Sequence, residues 1–161
     1  MTPTRRRLEH AAGYLALGML NEATQELALI PFEDAALPDV LSARLALHMA
    51  KHEWRAVVDF GSQLARCNPE KEDGWINWAY ALRELNRVEE AKAVLLEAES
   101  GHGKKCGVLH YNLACYHCLL GDMTEAKRRL RIACKMDAGW KKAALDDPDL
   151  KAMRDTIATM K

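Results

Sequence analysis

Apolar residues in the middle of the chain recur at three- and four-residue steps, which is the spacing of one face of an α-helix. A first apolar stripe consists of Trp75, Trp78, Ala79 and Leu82. A second stripe consists of Val88, Ala91, Leu95 and Ala98. The polar pair Asn86–Arg87 separates the two. The pattern predicts two helices joined by a tight turn, and because neither buries its apolar side alone, we expect a hairpin that packs on neighbouring elements.

The same pattern recurs along the chain with a nearly constant period. The residues equivalent to Ala91 are Ala23, Val57 and Ala126, and successive members of the set are 34, 34 and 35 residues apart. The turn positions repeat in step at Gly18, His52, Asn86 and Gly121. Apolar residues follow two places later at Leu20, Trp54, Val88 and Met123. Four units in register indicate a repeat protein rather than a fold built around one central core.

A period near 34 residues with two helices per unit resembles the tetratricopeptide repeat (TPR). The third unit matches that family at Trp75, Trp78, Ala79, Leu82, Ala91, Leu95 and Ala98. The fourth unit matches it at Leu113, Ala114, Gly121, Ala126, Leu130 and Ala133. The resemblance implies an all-α, right-handed α-solenoid of about four helix-turn-helix units in a single domain, 1–161. The expected repeats are about 4–30, 38–71, 72–104 and 107–138.

The last stretch, 139–161, does not continue the repeat and is expected to form a C-terminal cap. Asp147 is a suitable N-cap and Pro148 a suitable first residue for a final capping helix. Its apolar stripe would consist of Leu150, Met153, Ile157 and Met160. Elsewhere we expect Ser100–Lys105 to be a linker between repeats, and Phe32 and Leu37 to be tucked against the stack.

Composition narrows the classes of partner. Apolar residues make up 49% of the chain, and 23 basic residues balance 23 acidic ones, so no net charge favours nucleic acid or an anionic membrane. Charged residues interrupt the apolar runs before they reach the roughly 20 residues of a membrane span. The five cysteines have no disulfide-scaffold spacing, and the N-terminus shows no signal-peptide pattern. These features favour a cytoplasmic protein with reduced thiols.

The resemblance also implies where a ligand would bind. In that family the first helices of the units line a concave groove, and fixed positions on them contact a peptide. By register, the groove residues of this chain are Ser42, Ala46, Met49, Ile76, Asn77, Tyr80, Arg83, Tyr111, Asn112, Cys115 and Cys118. This lining is small, aromatic and sulfur-rich with one cation, which suits an amphipathic helix or an extended apolar peptide.

The family's best-known activity, gripping an acidic C-terminal tail, requires a set of lysines and asparagines. The matching positions hold Leu8, Ala12, Ala43, Asp73 and Asn77. Only Asn77 fits, and Asp73 would repel a carboxylate, so this activity is disfavoured.

Three more specific functions, a metal or redox site, nucleic-acid binding and catalysis, are less well supported by the sequence. Cys115 and Cys118 have the spacing of a metal or redox pair, but no second pair follows at finger spacing, so packed thiols are the default and any redox or metal role is left open. The basic run Lys127–Arg131 is expected to be a solvated outer face rather than a nucleic-acid site. No phosphate loop, HExxH or GxSxG motif is present. We therefore expect no catalysis, no cofactor and no metal.

The sequence thus favours a non-catalytic interaction scaffold, or adaptor, that binds a peptide or helix of a partner protein in its groove. Two alternatives stay open. One is a chaperone like the TPR chaperones of type III secretion, and the other is a structural module that assembles with copies of itself. The sequence does not decide the oligomeric state.

Overall fold

The structure is a computed structural model that describes residues 3–160. This range contains ten α-helices, two 3-10 helices and no β-strand, which confirms the all-α prediction. The first five α-helices are α1 (Pro3–Ala16), α2 (Leu20–Ala28), α3 (Pro38–Ala50), α4 (Trp54–Cys67) and α5 (Glu72–Glu84). The next five are α6 (Val88–His102), α7 (Gly107–Leu119), α8 (Met123–Met136), α9 (Gly139–Asp146) and α10 (Arg154–Thr159). The 3-10 helices are Phe32–Asp34 and Pro148–Met153. No helix in the described part of the chain has the length and apolarity to span a membrane.

The four predicted turns share one backbone geometry. Positive φ angles occur at Gly18 (72°), His52 (55°), Asn86 (60°) and Gly121 (85°). At the third turn the amide of Asn86 donates to the carbonyl of Arg83 (2.9 Å), and the amide of Arg87 donates to that of Leu82 (2.8 Å). The same two bonds close the other three turns. This is the Schellman motif, in which a left-handed residue ends one helix and satisfies its last carbonyls. The second helices then begin at Leu20, Trp54, Val88 and Met123, as the sequence predicts.

The chain forms two compact units that divide between Ala81 and Leu82, within α5. In the first unit, α1 packs on α2 and α3 packs on α4. One core cluster consists of Ala11, Ala23, Leu27, Ile30, Val40 and Leu47. A second consists of Leu41, Leu45, Val57, Leu64 and Ala81. The single-domain boundaries given above stay a prediction.

Two glycines set a close crossing between α4 and α5 in the first unit. A Cβ on Gly74 would lie 2.6 Å from the backbone nitrogen of Ala65, and a Cβ on Gly61 would lie 3.0 Å from the Cβ of Trp78. Gly61 stands where the TPR pattern has a large aromatic residue. The atoms of Trp78 nearest to that position are its Cβ, its Cα and its backbone nitrogen, so the glycine lets the backbone of α5 lie close to α4.

In the second unit, α7 and α8 form the most extensively packed hairpin. Side chains with no exposed surface line it, namely Leu109, Leu113, Ala114, Ala126, Leu130 and Ala133. The small residues Ala114 and Ala126 allow the two backbones to approach closely, as the repeat pattern requires.

The basic run on α8 is not wholly a solvated face, and this part of the sequence interpretation is wrong. Arg129 is 5% exposed. Its guanidinium donates to Glu125 (2.8 Å), to Glu99 (3.1 Å) and to Nδ1 of His110 (3.3 Å). Nε2 of His110 donates to the carbonyl of Gly103 (2.7 Å), which leaves Nδ1 as the acceptor for the guanidinium. A buried arginine is tolerated because three groups on three helices share its charge and hydrogen bonds.

The C-terminal stretch differs in detail from the predicted single helix. Asp147 accepts a hydrogen bond from the amide of Asp149 (2.9 Å) and is an N-cap as expected, but Pro148 opens a 3-10 helix that only becomes α10 at Arg154. The predicted apolar stripe is buried: Leu150, Met153, Ile157 and Met160. Lys161 lies outside the described residues.

Two local expectations are wrong. Ser100–His102 belongs to α6 rather than to a linker, because the helix continues past Glu99 for another turn. Phe32 and Leu37 are 93% and 46% exposed instead of tucked in, and the 3-10 helix Phe32–Asp34 turns the Phe32 side chain outward.

Candidate functional site

The six predicted groove residues of the first unit lie on α3 and α5, and each is at least partly accessible. We call it the α3–α5 face; it consists of Ser42, Ala46, Met49, Ile76, Asn77 and Tyr80. Ser42, Ala46 and Tyr80 are exposed, and the other three are half-buried. Three- and four-residue spacing places the members on each helix along one side of it.

Local contacts position the larger side chains of the α3–α5 face. The ring of Tyr80 meets that of Trp54 edge-on, with centroids 5.8 Å apart. Met49 and Trp54 both pack against the second core cluster. Asn77 donates from its amide to the carbonyl of Asp73 (2.8 Å), one turn earlier on α5. Met49 therefore combines a core contact with partial exposure, whereas Ser42 and Ala46 leave an open, small-residue strip of α3.

The equivalent residues of α7 are covered. Tyr111, Cys115 and Cys118 are 7%, 4% and 5% exposed, and Asn112 is half-buried. The C-terminal stretch is the cover, since the 3-10 helix Pro148–Met153 packs on α7. Whether these positions contact a ligand stays a prediction, but in this structure another part of the same chain occupies them.

Two carboxylates fix the C-terminal stretch to this surface. The hydroxyl of Tyr111 donates to Asp147 (2.7 Å), and its ring stacks on Trp140 with centroids 4.6 Å apart. Arg83 donates from Nε to Asp149 (2.7 Å) and from Nη2 to the other oxygen of the same carboxylate. We call this arrangement the aspartate site; it consists of Arg83, Tyr111 and Cys115 with Asp147 and Asp149 bound to them. The planar guanidinium makes a two-point contact that a lysine would not make.

The electrostatics of the aspartate site keep its ionisable donors protonated. Burial, followed by the hydrogen bond to Asp147, raises the pKa of Tyr111 above its usual value. Burial and the nearby charges of Asp147 and Asp149 raise the pKa of the Cys115 thiol. The Cys115 Sγ lies 3.8 Å from Asp147. A neutral thiol beside two carboxylates is a poor nucleophile, so the arrangement suits binding rather than covalent chemistry.

The Cys115 thiol and the carboxylates of Asp147 and Asp149 are groups of the kind that bind metal ions. Ligand atoms of Cys115, Asp147 and Asp149 all lie within 4.8 Å of one another. However, Arg83 already neutralises Asp149 and the thiol carries its proton, so a cation would have to displace both. The donor set does not fit a resident metal. Cys118 does not complete it: its Sγ lies 3.9 Å from the sulfur of Met123, and burial raises its pKa.

Sequence reasoning missed the acidic half of this site. Asp147 was assigned only as a helix cap, and Asp149 was given no role. The sequence did contain a sign that Arg83 needs a distant anionic partner. Arg83 is the single cation among the predicted groove residues, and no residue three or four positions from it in the sequence is acidic. Pairing it with a residue 66 positions away required the structure.

Lys127, Arg128 and Arg131, the other cations of the basic run, border a groove along α8. The groove has a volume of about 770 Å³ and lies between α8 and the end of the chain. Its lining includes Lys127, Arg128, Arg131 and Lys135 together with Met123, Ile132 and Met153. None of the predicted groove residues contributes to it.

No protein-family model matches the chain, and no curated protein matches it in sequence. Solved structures do match. A thermophilic TPR protein from Thermus thermophilus superposes with a TM-score of 0.67 over 98% of this chain and 100% of its own, at 17% identity. The chain has the tetratricopeptide-repeat fold.

Two further structures match most of the chain. MamA from MSR-1 gives a TM-score of 0.73 at 18% identity, covering 84% of this chain and 78% of its own. MamA from AMB-1 gives 0.71 at 12% identity, covering 97% and 89%. At these identities the likeness concerns the fold.

Proposed function

We propose that this TPR protein is a non-catalytic interaction scaffold that holds a peptide or helix of a partner protein against the α3–α5 face. The observation that carries the proposal is the exposure of Ser42 and Ala46 at repeat positions that the chain itself covers on α7. A folded chain that covers such positions in one place and leaves them open in another has a surface available for a second polypeptide.

The chemistry of the α3–α5 face supports a polypeptide ligand. Ser42 and Ala46 are small enough for a backbone to approach α3 closely, while Met49, Ile76 and Tyr80 offer apolar area for side-chain anchors. Tyrosine combines a large contact area with few rotatable bonds, which reduces the entropy lost on binding. The tyrosine and thiol that would be the first candidates for catalysis on α7 are buried and protonated, which favours binding over reaction.

Site-specific photocrosslinking tests the proposal. A benzophenone amino acid is placed at Ala46 in one sample and at the exposed Gln63 on α4 in another, and both are irradiated in native lysate. We expect one defined adduct from position 46 and none of the same mass from position 63. Ala46→Arg in purified protein should then weaken binding of the identified partner by about tenfold or more.

Three results would contradict the proposal: identical adducts from both positions, no adduct from position 46, or unchanged affinity of Ala46→Arg. An adduct at twice the mass of the chain would instead indicate self-assembly. Light scattering over a concentration series then decides that alternative, because a stable monomer excludes it.

A further inference from the structure

A segment of the chain itself covers α7, and the side chains of that segment show which kind of ligand the surface accepts. Residues 147–150, Asp-Pro-Asp-Leu, present two carboxylates two positions apart and then a fully buried leucine. We propose that Arg83, Tyr111 and Cys115 form a binding site for an acidic segment of this type in a partner protein, and that residues 147–150 occupy the site as an internal competitor. The inference rests on the proposed scaffold function and names the partner's chemistry at a second surface.

Two independent observations meet at this site. The repeat register alone selected Arg83, Tyr111, Cys115 and Cys118 as ligand-contacting positions. The structure then shows a peptide segment bound across three of them through side-chain contacts. The segment that covers them therefore lies where a ligand of the repeat is expected, whereas the described part of the first unit leaves Ser42 and Ala46 exposed.

The contacts define what a competing segment must carry. Arg83 grips both oxygens of the Asp149 carboxylate, and the Tyr111 hydroxyl points at Asp147. The turn between them is closed by the bond from the Asp149 amide to Asp147 (2.9 Å). Leu150 is 0% exposed and adds an apolar anchor. Asparagine in place of Asp149 would lose the charge that the Arg83 guanidinium neutralises, and asparagine in place of Asp147 would weaken the acceptor of the Tyr111 hydroxyl, so we expect the site to prefer two side-chain carboxylates.

The segment is attached in a way that allows exchange. It is a 3-10 helix, which has weaker internal hydrogen bonding than an α-helix, and the extended residue Asp147 joins it to α9. A tethered segment acts at an effective concentration of roughly millimolar. To displace it, a partner must bind the open site with a dissociation constant well below that concentration, or make further contacts elsewhere on the chain. The apparent affinity of the wild-type protein for a partner equals the affinity of the open site multiplied by the fraction of molecules in which the site is open.

Full-length variants and a labelled peptide test the proposal. Asp147→Asn plus Asp149→Asn weakens the internal segment and keeps Arg83 and Tyr111. The matched control is Asp146→Asn plus Asp155→Asn, which removes the same charge from exposed positions of the same stretch. The probe is a fluorescent peptide copying residues 145–154, with a second peptide in which both central aspartates are asparagine.

We expect the first double variant to bind the acidic peptide at least about tenfold more tightly than wild type, and the control to match wild type. The asparagine peptide should bind poorly to all three proteins. Adding Arg83→Gln to the first variant should abolish the gain. Equal affinity of wild type and the first variant, or equal binding of both peptides, would overturn the proposal.

Hydrogen exchange on unmodified protein gives a second readout that does not depend on the variants folding. Saturating acidic peptide should speed amide exchange in residues 147–153 of the wild-type chain, and the asparagine peptide should not. Unchanged exchange with both peptides would also overturn the proposal. Crosslinking at Ala46 reports on the α3–α5 face alone, so loss of the scaffold function there and loss of acidic-segment binding are separate results.

Discussion

The close crossing of α4 and α5 predicts that one substitution has opposite effects at two glycines. Gly74→Ala would place a methyl group 2.6 Å from the backbone nitrogen of Ala65 and 3.0 Å from its Cα. Gly13, inside α1, has no atom within 4 Å of the corresponding position. Neither glycine has a positive φ, so alanine meets no backbone strain at either site.

The magnitudes follow from two competing effects. Alanine gains about 0.5–1 kcal/mol over glycine in a helix interior, because glycine loses more conformational freedom on folding. At Gly13 this gain is unopposed, so we expect Gly13→Ala to stabilise by that amount. At Gly74 ordinary contact needs roughly 3.5 Å or more, so the helices must separate by about 1 Å. Overpacking of this kind costs about 1–3 kcal/mol, and Gly74→Ala should be destabilising overall by about 1–2 kcal/mol.

Urea unfolding followed by far-ultraviolet circular dichroism measures both changes against wild type. The two variants should bracket wild type, with midpoints shifted in opposite directions and equal slopes. If Gly74→Ala proves neutral or stabilising, α4 and α5 do not approach as closely as described. If Gly13→Ala is destabilising, the space around α1 is occupied.

Three further predictions concern the second unit. Arg129→Met should lower the free energy of unfolding by about 2–4 kcal/mol, because Glu99 loses its cationic partner and Glu125 keeps only Arg128. Urea titration should show a change of less than about 0.5 kcal/mol for exposed Arg131→Met. Hydrogen bonds from Arg128 and then Arg129 lower the pKa of Glu125 from 4.5 to about 2, so its stabilisation is complete above pH 4.5 and lost as the pH falls towards 2. Thermal melts across that range should therefore fall less steeply for Glu125→Gln than for wild type. Ala91→Trp should cost roughly 1–3 kcal/mol or more in the same urea assay, since Ala91 is 0% exposed.

The hairpins could be predicted from the sequence because the features that specify them are local. A left-handed residue such as Gly18 or Asn86 can end a helix, and an apolar residue two places later can begin the next one. Both requirements act within a few residues and repeat with the period of the fold. The four turns and the starts of the second helices were therefore readable without any long-range contact.

The contacts of charged residues could not be predicted in the same way. Arg129 belongs to a run of cations whose helical spacing indicates a solvated face. Its side chain is nevertheless buried, because it forms hydrogen bonds with Glu99 on α6 and His110 on α7. Arg83 and Asp149 likewise meet across a long separation in sequence. Periodicity reports which side of a helix is apolar, but not which distant charge approaches that side.

The candidate site shows that equivalent positions in the repeats do not have equivalent exposure. Ala46 and Cys115 occupy equivalent positions in their repeats, but Ala46 is exposed and Cys115 is 4% exposed. The difference comes from the neighbour: Cys115 lies beneath the final stretch of the chain, whose carboxylates bind Arg83 and Tyr111. A repeat position therefore specifies where a ligand can approach, and the surrounding chain determines whether that place is open. The binding proposed for the α3–α5 face therefore requires only a partner, whereas the binding proposed for the aspartate site also requires residues 147–150 to leave.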